Sequence, residues 1–158
     1  MEKKNKVDSE IANKLSELNL SPQSFQAGGI YMTRDDKVLF PGRNKIKDKP
    51  RMVIVLGRES DLSDPMMPTV SCAPITTRLN ETTQCMPIKA NDGNLHKDSL
   101  IKAGMIQPIL KTDLSYQVGI APPETLMKLK ATVFMNLGLG EEEESLETEE
   151  DDVDDSKG

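Results

Sequence analysis

Arg51 opens a β-branched run, Arg51-Met-Val-Ile-Val-Leu-Gly57, and Thr76 and Thr77 close a second one, Ala73-Pro-Ile-Thr-Thr77. An arginine presents a rigid fork of donors that matches phosphoryl oxygens, and a threonine hydroxyl adds a further hydrogen bond to the same group. If the two runs are neighbouring strands, both side chains are held on rigid backbone at one place. Such a pair suits metal-free cleavage of RNA, in which the 2′-hydroxyl attacks the adjacent phosphate and negative charge grows on the phosphoryl oxygens. Each residue alone has a plainer reading, Arg51 as a surface cation at a strand start and Thr76 as a strand-end hydroxyl.

The surroundings of the pair are basic. Arg43, Lys45, Lys47 and Lys49 lie in the loop before Arg51, and Arg78 follows Thr77. Cations and hydroxyls so placed could hold backbone phosphates, contacts that position a strand without reading its sequence. His96, in the polar stretch Asn94-Leu-His-Lys97, is the only histidine. A lone histidine in a loop reads as a solvated side chain, and one histidine with two cysteines supports neither a zinc site nor a histidine acid–base pair. The expectation is therefore no metal and no cofactor: Gly28-Gly29 is too short for a P-loop or a dinucleotide fingerprint. Aromatic residues make up 3% of the chain and tryptophan is absent. That leaves Tyr31, Phe40 and Tyr116 as ring platforms and argues against a broad base-stacking surface.

The elements that must position these residues are short. Ile30-Tyr-Met32 reads as a strand introduced by Gly28-Gly29, and Val38-Leu-Phe40 as a brief strand or hydrophobic flap between the turn signals Asp35-Asp-Lys37 and Pro41-Gly-Arg43. Met52 to Leu56 has the continuous apolar pattern of a central strand buried on both faces. Residues 61–68 read as a loop, Val70 to Ile75 as the next strand ending near Pro74 and the threonines, and Cys85 to Ile88 as another. Asn91-Asp-Gly93 reads as a turn and Asp98-Ser99 as a turn or cap. Met105 to Leu110 supplies further strand material, with Pro108 at an edge or end. Pro123 begins a helix whose stripe is Leu126, Leu129, Val133, Phe134 and Leu137, and which Gly138 and Gly140 end. A second amphipathic helix is expected over 8–19, stopped by Ser21-Pro22. The fold class expected is mainly β with terminal helices, a small barrel-like α+β domain.

Charge divides the chain. Residues 141–158 hold 11 of the 26 acidic residues against one lysine, and the rest holds 19 Lys/Arg against 15 Asp/Glu. The body is mildly basic, which tolerates a nucleic-acid partner. The acidic tail is expected to be disordered, either a solubilising appendage or a polyanion that competes for a basic groove. The domain plan is a 1–24 extension, a 25–140 domain and the 141–158 tail. The charged start resembles no signal peptide, and no stretch approaches the roughly 20 apolar residues of a membrane helix. A cytoplasmic protein without membrane contact is expected, with Cys72 and Cys85 as buried thiols.

The same segments resemble the MazF/PemK-like toxin family, small SH3-like barrels, over about Gly28 to Leu139. Gly29-Ile-Tyr31 is similar to the family's opening Gly-Asp-Ile/Val-aromatic strand. Arg51-Met-Val-Ile-Val-Leu-Gly57 resembles its Arg-Pro-x-Val-Val-Leu-Ser strand, and Cys72-Ala-Pro-Ile-Thr-Thr77 its Pro-x-Thr-Ser/Thr segment. Lys97-Asp-Ser99, Gln107 and the closing helix follow the family's order. The resemblance implies a homodimeric, metal-independent endoribonuclease acting on single-stranded RNA, with Arg51 and Thr76 as catalytic residues and an antitoxin or other regulatory protein as partner. Two departures stand out: the family's Gly-Ser-Glu-Gln-type loop is replaced by a longer basic one, and Met52 stands where the family has proline. Matching Pro50 to that proline would put Lys49 in the arginine's place, but the register through Leu56 favours Arg51. The alternative function is a catalytically silent member that binds a protein target or mimics nucleic acid through its tail. A third is a nucleic-acid-binding module without chemistry.

Overall fold

The computed structural model describes residues 25–41, 45–79 and 84–140. The helix expected over 8–19, Arg43 and the acidic tail lie outside these residues.

Seven antiparallel strands form one sheet: β1 (Gly29–Arg34), β2 (Pro50–Leu56), β3 (Thr69–Thr76), β4 (Met86–Ile88), β5 (Ser99–Ile101), β6 (Gln107–Leu110) and β7 (Leu114–Ile120). The path runs β4-β5-β3-β2-β1-β7, and β6 pairs with β3. Strand β2 is central, and its consecutive residues feed two cores. Ile54 and Leu56 pack with Ile30, Ala73 and Ile75 on one face, while Val53 and Val55 pack with Tyr31, Cys72 and Val38 on the other. This is the two-sided burial that its uninterrupted β-branched run predicts.

The outer edge of β3 is shared between two partners. β6 takes Thr69 to Cys72, and β5 takes Ile75 and Thr76. Pro74 falls in the gap between them, where its missing N–H leaves no ladder bond unmade, and its carbonyl accepts from the Lys102 N–H at 2.8 Å. The strand therefore continues past Pro74 to Thr76, ending at the threonines as expected.

Two helices accompany the sheet. The short α1 (Glu59–Ser63) overlaps the start of the loop expected over 61–68 and seals the second core with Leu62. The longer α2 (Pro123–Asn136) covers the first core with Leu126, Leu129 and Val133. Leu129 is fully buried, which contributes about 2 kcal/mol. The expected stripe is only half used. Phe134 is 50% exposed and Leu137 67%, because α2 packs against the 103–105 turn and β4 and its second half has no sheet beneath it. Gly138 ends it in the left-handed region (φ +71). The Gly138 N–H bonds the Met135 carbonyl and the Leu139 N–H the Phe134 carbonyl, the paired closure of a Schellman motif.

Gly28 joins three elements. Its N–H donates to the Val55 carbonyl and its carbonyl accepts from the Ala121 N–H, both at 2.8 Å. Its φ of +82, with Leu126 Cδ2 3.2 Å from where a Cβ would stand, explains why glycine occupies the position.

Two strands were not legible. β5 has only three residues, all buried, and Asp98 before it is the expected turn residue, its carboxylate accepting the Ala90 N–H. In β7 only Leu114 is buried; it is an edge strand with two register shifts against β1, which erases the alternation that marks a strand. Val38-Leu-Phe40 forms no strand; Val38 is buried in the second core, Phe40 packs against it and Leu39 is exposed. Both cysteines are free thiols, Cys72 buried and Cys85 partly so. Among the described residues, no helix is long and apolar enough to cross a membrane.

Candidate nucleic-acid interface

The second face of the sheet ends in a polar cluster. Tyr31, Thr33 and then Asp35 continue one alternation along β1, so Asp35 arrives on the inward side just past the strand. Its side chain has no solvent exposure. Oδ1 accepts from Arg51 Nε at 2.5 Å, and Oδ2 accepts from the Lys47 backbone N–H at 2.5 Å. One buried carboxylate thus fixes both the arginine and the start of the basic segment before it.

Arg51 pairs with Thr33 across β1. On its other side the β2–β3 ladder ends at the pair Met52 and Ile75, so the next step of the register sets Arg51 opposite Thr76. Residues directly opposite share a face of the sheet and stand about 5 Å apart at Cα. The guanidinium carbon lies 4.7 Å from the centre of the Phe40 ring, a cation–π arrangement. The backbone of Leu39, next to Phe40, is held by Gln107, whose amide accepts from the Leu39 N–H at 2.7 Å and donates to the Leu39 carbonyl at 3.2 Å. With Nε taken by Asp35 and one ring face on Phe40, the terminal guanidinium nitrogens are the donors left for a ligand. The Thr76 hydroxyl accepts from the Arg78 N–H at 3.2 Å, which leaves its own O–H to donate.

Arg51 and Thr76 line a cleft of about 490 Å³, together with Lys45, Lys47, Lys49, Thr77, Arg78 and Lys102. The sequence-derived candidates thus meet in one place, apart from Arg43, which lies outside the described residues. Six cations around one cleft repel each other. Lys49 and Arg78 hold the Lys47 ammonium below its usual pKa, with smaller contributions from desolvation and Arg51, and Asp35 opposes them. Such a site gains from a bound polyanion. Lys49 precedes β2 and is exposed, so the side chain locked to the sheet is Arg51. His96 is exposed and lines neither this cleft nor the one beside it. Among the described residues, no three His, Cys, Asp or Glu side chains come together as a metal-binding group.

Sequence reasoning missed Asp35, which reads as a turn residue in Asp35-Asp-Lys37. Extending the alternation of Tyr31 and Thr33 by one step would have placed it inside. Gln107 and Lys102 carry no local signal, since their roles depend on which strand ends meet.

Residues 27–135 match the family of PemK-like, MazF-like toxins of type II toxin-antitoxin systems, and the chain belongs to it. The toxin MazF-mt6 of Mycobacterium tuberculosis superposes with a TM-score of 0.56 at 25% identity, over 72% of this chain and 99% of that one. MazF of Deinococcus radiodurans gives 0.57 at 15% identity, over 73% and 98%. A mycobacterial endoribonuclease in complex with its cognate antitoxin gives 0.57 at 15%, over 74% and 98%. No curated protein matches the sequence significantly. The low identities mark a divergent member.

Proposed function

We propose that the chain is an endoribonuclease toxin that cleaves single-stranded RNA without a metal, and that its chemistry is carried by Arg51 and Thr76. The observation that supports this most is the buried Asp35 holding Arg51 at the head of a six-cation cleft, opposite a threonine whose O–H is left to donate. In the reaction the 2′-oxygen forms a bond to phosphorus and the bond to the 5′-oxygen breaks. The 2′-hydroxyl loses a proton and the leaving oxygen gains one, an exchange that water in an open cleft can serve. Arg51 donates to the phosphoryl oxygens as their charge grows, and Thr76 adds a second donor. Lys45, Lys47, Lys49, Thr77 and Arg78, with Arg43, hold the flanking phosphates.

The working form is a homodimer, for which the exposed Phe134, Met135 and Leu137 on the free half of α2 offer an apolar surface. An antitoxin is its regulatory partner, a reading supported by the complexes among the structural neighbours.

The test incubates the protein with a long mixed-sequence RNA in EDTA and maps the product ends. Discrete cuts are expected, and Arg51→Ala should lower their rate by about 100-fold or more, the loss typical of one transition-state donor. Intact RNA with folded wild-type protein would favour the silent alternative, a member of the fold that binds a protein target.

A further inference from the structure

We infer that a second cleft beside the first receives an unpaired nucleobase, stacked on Tyr116, and prefers bases that carry an exocyclic amino group. The inference rests on the RNA reading of the Arg51 cleft and names how a neighbouring nucleotide would be recognised.

The second cleft has a volume of about 740 Å³ and shares Met32, Lys47, Lys49 and Pro50 with the first. The basic segment before β2 is therefore a common wall, with cations for a phosphate between the two. Beyond that wall the lining changes character. Asp36, Asp48 and Asp113 contribute carboxylates, and Tyr116 an aromatic ring. Asp36 is paired with Arg34 at 2.5 Å and Asp113 with Lys37 at 3.8 Å. Asp35 also lines the cleft but is taken by Arg51, and the pairing of Asp36 with Arg34 and of Asp113 with Lys37 offsets their charge. The carboxylate lone pairs outside those pairs accept hydrogen bonds from amino groups on a base edge. A ring beside them supplies the stacking face by which single-stranded RNA is commonly held.

The backbone presents that ring. Tyr31 pairs with Gln117 and Thr33 with Leu114, so the single residue Met32 faces two, Ser115 and Tyr116. That is a β-bulge, a device that re-aims side chains next to functional sites. The Ser115 hydroxyl donates to the Met32 carbonyl at 2.9 Å and pins it. Tyr116 is left 60% exposed. Cytosine, adenine and guanine carry an exocyclic amine for the carboxylates; uracil does not.

The chain has two tyrosines and no tryptophan, and Tyr31 is buried out of reach of a ligand, so a change in tyrosine emission on binding reports on Tyr116. The probes are 2′-O-methyl decamers of cytidine and of uridine, which cannot be cut because the 2′-oxygen is blocked. Binding is read by anisotropy of a labelled strand and by tyrosine emission with an unlabelled one. The cytidine decamer should quench emission and bind about tenfold more tightly than the uridine one. Tyr116→Leu should weaken cytidine binding about tenfold and abolish the quenching, while Tyr116→Phe should keep the affinity. Binding with unchanged emission and equal affinity in Tyr116→Leu would overturn the inference and leave the Arg51 cleft untouched. Equal affinity for the two decamers would overturn the carboxylate preference. No binding of either decamer by folded protein would overturn both this inference and the RNA reading beneath it.

Discussion

Replacing Asp35 with asparagine tests the anchor of the site. The carboxylate is fully buried and accepts hydrogen bonds from a guanidinium and from a backbone N–H. A bond to a charged group contributes about 1.5–3 kcal/mol and a neutral one about 0.5–1.5 kcal/mol. Asparagine keeps one acceptor and turns an N–H toward one of the two donors, so roughly one charged bond and part of a neutral one are lost. Arg51 remains 18% exposed, and water offsets some of the cost of its unpaired charge. The expected destabilisation is about 3 kcal/mol, or a fall in Tm of about 10–15 °C for a domain of this size. Urea and thermal unfolding would measure it, with cleavage assayed in parallel well below the new midpoint. Cleavage should fall nearly as far as in Arg51→Ala, because an unanchored arginine no longer meets the phosphate. The double variant Asp35→Leu/Arg51→Met should recover much of the stability, since replacing both members of a buried pair removes the charges together, yet stay inactive. A Tm within about 2 °C of wild type for Asp35→Asn, roughly 0.5 kcal/mol, would refute the idea that this carboxylate holds the site.

The remaining predictions concern a thiol and the tail. Burial pushes the Cys72 thiol up to about 12 from 9.0. A group whose folded pKa is raised contributes stability that is fully present below its unfolded pKa, so this share should be lost as pH climbs from about 9 toward 12. Cys72→Ala should flatten the alkaline fall in Tm, and identical slopes in the two proteins would contradict it. Removing 141–158, with 11 acidic residues, should tighten RNA binding at low salt. A tethered polyanion at an effective concentration of about 1 mM, with a weak Kd of about 0.1 mM for the cationic cleft, gives roughly tenfold. Equal affinity for full-length and 1–140 chains would sink the competition idea.

Much of this protein was readable one residue at a time. The β-branched run of β2 announces a strand buried on both faces, because only a central strand tolerates apolar side chains in both directions. Pro123 and Gly138 bracket α2, because proline fits a helix start and glycine a left-handed stop. Arg51, Thr76 and the lysines before Arg51 could be picked out together from residue type and from their place at strand ends, and the structure brings them to one cleft. What the sequence could not carry is whatever depends on elements distant in the chain meeting in space. Asp35 looks like a turn residue until β1 delivers it beneath Arg51, 16 residues on. Gln107 matters only because β6 brings it to Leu39, 68 residues away. β7 hides its pattern because an edge strand with bulges buries too little to alternate, and those same bulges present Tyr116. Local propensity and periodicity determined most of the elements and where the cations gather along the chain; long-range pairing decided which charges are buried, which side chains are held and which ring faces the solvent.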